Sequence, residues 1–465
     1  MKLLSEAILS FTDWVWGYPC IILLVVGGVF LTIQIHFIQF TKLGFILKNT
    51  IIKSMGEKGT DKTFSGWQAV TGALASTLGN GTIVGAGMAI GLGGPGAIFW
   101  MWLCGLVACA IKYGEVVLAM NHRILNKDGQ WEGGPQHYLP SATGWKWLGG
   151  LFAVIMVFAM FLSASAQIGA GVDNVVVLGL NRIICTIIFT FLAALVVLGG
   201  MRSLLGFTEK IVPFMSVLYI GAGLIVIGLN FRNLPDAFLS IFRYAFTGHA
   251  AFGGFGGAGA ALCIRWGLAR GIYSNDAGAG MTTITHSVAD VNHPVQQGMW
   301  AIFEVFFSTI IVCTVSALVV LVTGVWTVSS DAATLTLAGF ETSLGRIGSI
   351  IIAVCLLLFT FTSAVASIEF GVSQMRKLFG EHMDKIFRCI YLILLFVGGI
   401  VGIQALISYM DFFAFCLILL NVTGIYKCYR EIRTTTEEYF DNPERWEKET
   451  WAPWVHMREN YEADR

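Results

Sequence analysis

Polar groups able to do chemistry sit inside long apolar stretches of this 465-residue chain. Three carboxylates, Glu115, Glu304 and Glu369, fall within such stretches. An ionised side chain is costly in hydrocarbon, so each marks a functional position unless a partner accounts for it. Lys112 precedes Glu115 by one helical turn and can pair with it on one helix face. Glu304 and Glu369 could each recognise a cationic group or carry a coupling proton, although Glu369 lies close enough to the inner end of its stretch to reach water. His286 and His293, with Asp290 between them, invite a metal reading, but their spacing suits no common structural zinc pattern. The 10 cysteines lie nearly all in apolar runs, none in CxxC spacing, and read as small packing residues.

Two glycine tracts offer chemistry of another kind. They are Gly79-Asn80-Gly81-Thr82-Ile83-Val84-Gly85-Ala86-Gly87 and Gly253-Gly254-Phe255-Gly256-Gly257-Ala258-Gly259. Glycine costs a helix about 1 kcal/mol relative to alanine. A bilayer cannot hydrogen-bond the backbone, so an interrupted helix there must line a cavity or be buried in protein. Its freed carbonyls can hold a cation, and its freed N–H groups and half-helix N-termini can hold a carboxylate. Asn80 and Thr82 add polar side chains. The plain alternative is close helix packing through small residues.

The elements that carry these groups follow from composition. Hydrophobic residues make up 56% and charged residues 12%, with 29 basic against 29 acidic side chains and a mean hydropathy of +0.73. Soluble chains carry about 25% charge. These figures exclude an ordinary soluble enzyme, a disordered chain and a nucleic-acid binder. At ~20 residues per crossing, the sequence predicts an all-α polytopic membrane protein of about eleven spans: 17–40, 66–90, 97–120, 148–171, 183–201, 205–229, 235–268, 298–323, 347–370, 387–403 and 408–427. With the C-terminus inside, 23 of the 29 Lys and Arg, Arg265 and Arg270 among them, lie on the inner side. Four lie outside, which sets the N-terminus outside and the C-terminus in the cytoplasm of a cell-membrane protein. Glu6 and Asp13 interrupt the N-terminus, so it is not a secretory signal. If the first span is peripheral, four segments result: 1–65, a first five-helix unit 66–233, a second 234–430, and a cytoplasmic tail 431–465 lying on the membrane or protein surface. Each unit then opens on a glycine-broken helix, and the two run in opposite directions. That pattern belongs to an inverted-repeat transporter with its substrate at the midplane.

The stretches GNGTIVGAGMAIGLGGPGAIFWMW (Gly79–Trp102), IKYGEVVLA (Ile111–Ala119), GGPQHYL (Gly133–Leu139) and RGIYSNDAGAGMTTITHSVADVNHPVQQG (Arg270–Gly298) resemble the alanine or glycine:cation symporter family. The resemblance implies a LeuT-type 5+5 inverted repeat with one extra N-terminal helix. It also implies sodium-driven uptake of a small neutral amino acid and no enzyme activity. The sequence departs from the family pattern in the pocket: Asn80 and Thr82 exchange places, Glu304 stands one turn early, and Ser367 replaces a large aromatic. A roomier or more polar site is expected.

The resemblance further implies sodium held by the Thr362 and Ser363 hydroxyls with backbone oxygens near Leu78, Gly81 and Phe359. Back-bonding to the preceding turn is the alternative for these hydroxyls. A zwitterionic substrate needs both charges met, and no Arg or Lys is expected near either break. The carboxylate then falls to backbone N–H groups with Asn80, Gly81 and Thr82, and the ammonium to the Gly253–Gly257 segment. The side chain would sit by Phe255, Ser367 and Gln167. Ser274 to Pro294 reads as an inner gating loop. The runner-up is a proton-coupled or cationic/polar amino-acid transporter using Glu304 or Glu369. An intramembrane enzyme or a channel is the reading from a different class. No GxxxxGK[ST] nucleotide loop occurs.

Overall fold

The computed structural model describes residues 10–441 apart from 13, 18, 60–62, 127–128, 177–178, 248–255, 329–330 and 402–406. It is nearly all helical. Helix α1 (Pro19–Gln34) packs against the interior helix Ala97–Asn121 and is followed by short helical segments at Ile38–Thr41, Leu43–Leu47 and Lys48–Ser54. Helix α2 (Gly66–Thr77) starts at Ser65, whose hydroxyl accepts from Gln68 N while the Gln68 side chain accepts from Ser65 N. This capping box satisfies two orphan donors reciprocally. Helix α3 (Asn80–Gly93) resumes after Leu78 and Gly79 at a bend of 48°.

Helix α4 (Ala97–Asn121) runs through the interior, with every residue from Ala108 to Asn121 buried. A short ladder pairs β1 (Ile124–Leu125) with β2 (Trp131–Glu132), and the GGPQHYL stretch becomes helix α5 (Pro135–Thr143) with Pro at its first position. Then follow α6 (Trp147–Val176), α7 (Arg182–Val197), α8 (Gly200–Leu229), α9 (Leu234–Thr247) and α10 (Gly256–Asn275). A five-residue helix α11 (Thr283–Ser287) leads into α12 (Pro294–Thr323), which widens into a π segment at Phe306–Val312. Helix α13 (Leu335–Phe379) kinks at Gly345, which adopts φ 61°. Helices α14 (Asp384–Val401), α15 (Ile407–Lys427) and α16 (Tyr429–Asp441) complete the chain.

Among the described residues, seven helices are long and apolar enough to cross a bilayer singly, and the bent α2–α3 pair makes an eighth. The sequence counts more spans because α7, α9 with α10, and α14 fall outside that group. The expected seventh span divides into α9 and α10. Gly253, Gly254 and Phe255 lie outside the described residues, whereas Gly256, Gly257 and Gly259 are helical. The tail is bound to the protein as far as α16: Thr436 Oγ1 meets Tyr113 Oη at 2.7 Å and Glu431 accepts from Asn121 Nδ2 at 2.9 Å.

Candidate substrate and ion site

The first interruption forms as the sequence predicts. Helix α2 ends at Leu78 (φ −82°, ψ 66°), Gly79 is extended, and α3 starts at Asn80. Gly79 lets two side chains approach closely: a Cβ there would stand 2.8 Å from Gln167 Nε2 and 3.1 Å from Ser363 Oγ. Helices α6 and α13 thus press their polar side chains against the gap. Ser363 Oγ donates to Ser76 O at 3.1 Å, and Asn80 N donates to Gln167 Oε1 at 3.4 Å.

A second interruption lies at Asn275–Thr282, between α10 and α11. Asp276, Gly278 and Gly280 take φ of 52°, 86° and 74°. L-residues disfavour that region and glycine does not. Asn275 Oδ1 accepts from Ala277 N at 3.0 Å and turns the chain out of the helix. The sequence reading places the second opening at Gly253–Gly259 and treats Ser274 onward as a gating loop. Gly253, Gly254 and Phe255 of that tract lie outside the described residues; at Asn275–Thr282 alternate glycines beside an Asn that caps the turn reverse the backbone. The two interruptions touch, since Thr82 Oγ1 donates to Thr77 O at 2.6 Å and to Ser274 O at 3.3 Å.

Between them lies a cavity of about 190 Å³. One water needs ~10–15 Å³ on this measure, so a small organic solute fits. Asn80, Gly81, Gln167 and Ser363 line it as expected. Thr82 does not; it is buried in the bridge between the two breaks. Ser367 stands behind the wall and meets Ser163, a lining residue, at 3.1 Å. Leu78 and Phe359 are buried, and Thr362 Oγ1 donates to Phe359 O at 3.0 Å, the back-bonding alternative.

Sequence reasoning missed several lining residues: Arg270, Tyr273 and Asp276 from α10 and its end, Trp16 from the N-terminal segment, and Met88, Met160, Met281 and Met410. The expectation that no basic side chain stands near a break is therefore wrong for Arg270, which lies with Arg265 on α10. Treating 235–268 as one span left Arg270 beyond its end. The buried Arg270 Nε and Tyr273 Oη have no hydrogen-bond partner among the described residues. The Trp16 ring packs against Tyr273 at a tilt of 47°, 5.3 Å between centroids, and its Nε1 donates to Asp411 O at 3.0 Å.

The three carboxylates differ in role. Glu369 on α13 pairs with Arg388 on α14, at 3.0 Å between Oε1 and one guanidinium nitrogen. Glu304 on α12 accepts from Thr77 Oγ1 and lies 2.9 Å from His286 Nε2 and 3.4 Å from Lys112 Nζ. Glu115 accepts from Gly278 N and Gly280 N, each at 3.2 Å, and from Asn421 Nδ2 at 2.8 Å. Among the described residues no cluster of His, Cys, Asp and Glu could hold a metal ion.

Comparison with known proteins agrees with this architecture. The chain is 38% identical to an uncharacterized transporter, YflA, of Bacillus subtilis over 94% of both chains. It is 33% identical to the sodium/alanine symporter AgcS of Methanococcus maripaludis, covering 89% of this chain and 92% of that one. Its fold, LeuT-type, is that of a manganese transporter from Eremococcus coleocola, with a TM-score of 0.51 at 14% identity over 88% of this chain and 87% of that one. The model of the sodium:alanine symporter family matches residues 1–452. A helical, multiply spanning chain whose two interrupted helices enclose a solute-sized cavity, with these relatives along nearly all its length, belongs to the sodium:alanine symporter family.

Proposed function

We propose that this protein is a sodium-coupled symporter of a neutral amino acid in the cell membrane. It works by alternating access, with its N-terminus outside and its C-terminus cytoplasmic. The observation that carries the reading is the shared cavity of the two interrupted helices. The substrate carboxylate would lie at the start of α3, where Gly81 presents its N–H, Asn80 its side chain, and the helix dipole favours an anion. Arg270 Nε and the Tyr273 hydroxyl, which have no hydrogen-bond partner among the described residues, support a polar guest there. The Asp276 carboxylate and the carbonyls of the second interruption would meet the ammonium. Four methionines would surround the side chain, and such thioethers adapt to varied shapes; this favours neutral substrates beyond alanine and glycine. Sodium is carried as co-substrate. Ser363 supports a site at the first gap because its hydroxyl already faces Ser76 O and Gly79. Carbonyls at Leu78, Gly81 and Phe359 and the Thr362 hydroxyl would complete it.

Proteoliposome uptake tests this. A labelled neutral amino acid should accumulate only under an inward sodium gradient, and no accumulation across the twenty standard amino acids sinks the reading. Ser363→Ala should raise the sodium concentration for half-maximal uptake about tenfold or more, with protein yield unchanged; each 1.4 kcal/mol of lost binding is a factor of about ten. Proton coupling is the second reading, and it rests on Glu304, whose partner Thr77 lines the cavity. Glu369 no longer supports it, being paired with Arg388. Accumulation driven by a proton gradient in sodium-free buffer would favour that alternative.

A further inference from the structure

Three charged side chains bind the two helix interruptions together from the side away from the cavity. Lys112, Glu115 and Glu304 are fully buried, and none of them lines the cavity. Glu115 takes the two N–H groups freed at Gly278 and Gly280, and Lys112 Nζ donates to the carbonyl of Asn275 at 3.2 Å, where α10 ends. Glu304 takes the hydroxyl of Thr77, the last residue of α2. Lys112 lies 3.5 Å from Glu115 and 3.4 Å from Glu304 and so joins the two carboxylates. The second interruption therefore ends in one carboxylate, the first in the other, and a single ammonium on α4 connects them.

Asp276, at the start of the second interruption, adds a carboxylate that interacts with Lys112 and Glu304 and also lines the cavity, and uncharged groups complete the arrangement. His286 links Glu304 to the amide of Gln297: its Nε2 lies 2.9 Å from Glu304 and its Nδ1 2.7 Å from Gln297 Nε2. Asn421 Nδ2 donates both to Glu115 and to Gly278 O, each at 2.8 Å, so α15 secures the same turn. Removing one member of such a set leaves a buried charge uncompensated, and the cost spreads to its neighbours.

We infer that Lys112, Glu115 and Glu304 are positioning residues of transport: a buried ionic clasp that holds the two interruptions in register and transmits a change at one to the other. This rests on the symport reading, in which ion and substrate bind at those interruptions. The clasp makes each break sensitive to the occupant of the other through fixed bonds.

Hydrogen–deuterium exchange of the full chain, followed in peptides covering 74–84 and 274–283, tests the clasp. Glu115→Gln should raise exchange at 274–283 about tenfold or more, as expected for a lost charge-assisted bond. It should also raise exchange at 74–84, which Glu115 does not touch. A rise confined to 274–283 means a local structural role and overturns the inference. Thr77→Val cuts the opposite end and should raise exchange at 274–283; no change there also overturns it, and this variant serves if the Glu115 substitution fails to fold. Exchange does not require transport. If wild-type protein takes up no amino acid under a sodium gradient, the symport reading fails, and the exchange data still decide whether the breaks are linked. If uptake is sodium-driven and exchange is not transmitted, the clasp alone fails.

Discussion

Glu369 and Arg388 form an ion pair whose side chains are only 3% and 5% exposed, and Arg388 also donates to Val197 O at 2.6 Å. Neither residue lines the cavity. The pair holds α13 against α14 and the end of α7. Breaking one member of a buried pair costs about 3–5 kcal/mol, while replacing both with apolar residues of similar size is close to neutral. Glu369→Leu should therefore lower thermal stability sharply, and adding Arg388→Met should restore most of it with substrate selectivity unchanged. A double variant that stays folded but changes selectivity would return Glu369 to the transport site. At this scale the sequence was only partly legible. It marked Glu115, Glu304 and Glu369 but passed over Asp411 and Glu209 in other apolar helices, and the Lys112–Glu115 pair follows from spacing within one helix. The links from Glu304 to Thr77 and His286 join residues 227 and 18 positions apart and arise only from packing.

Helix ends decide what the cavity can bind. Gly278 holds φ 86°, and a Cβ there would also meet Leu24 Cδ2 at 2.7 Å. Placing an L side chain in that region costs roughly 1–2 kcal/mol, and its N–H must still reach Glu115. Gly278→Ala should abolish uptake while lowering thermal stability modestly. Gly259→Ala, inside α10, should leave uptake intact because alanine favours helix. Uptake that survives the first substitution and fails with the second would put the working interruption back at Gly253–Gly259. The first interruption was readable because Gly79, Asn80 and Gly81 combine poor helix formers with a polar group in an apolar stretch. The second was obscured: its Asn-Asp-Ala-Gly-Ala-Gly pattern looks like a surface turn unless the preceding arginines are known to lie on a buried helix. The Gly345 kink in α13 left no sign either, since one glycine in a long apolar stretch is ordinary.

For the whole molecule, composition and charge were enough to establish a multiply spanning helical protein, and the long motifs carried the family. The division of the chain into two opposed halves at 66–233 and 234–430 remains a reading of the pattern. Symport requires ion and amino acid to stabilise one another's bound state. A ligand at 100 times its Kd stabilises a fold by about 2.7 kcal/mol. A substrate amino acid should thus raise the melting temperature by several degrees in sodium and by little in potassium, across a screen of neutral amino acids. Equal shifts in both salts would separate substrate binding from the cation.

The interior position of α4 bears on how the protein is made. The third long apolar stretch to leave the ribosome carries Lys112 and Glu115, each of which costs an isolated helix ~2.5–3.5 kcal/mol on insertion at mid-membrane. Their remaining partners, at Asn275, Glu304 and Asn421, are synthesised 163 to 306 residues later. The most apolar stretch of α4 has a mean hydropathy of 1.7 against 2.7 for that of α12, and until then the two charges of α4 have only each other as partners. The partners that bury Lys112 and Glu115 in the folded bundle are thus complete only once the C-terminal half has been made.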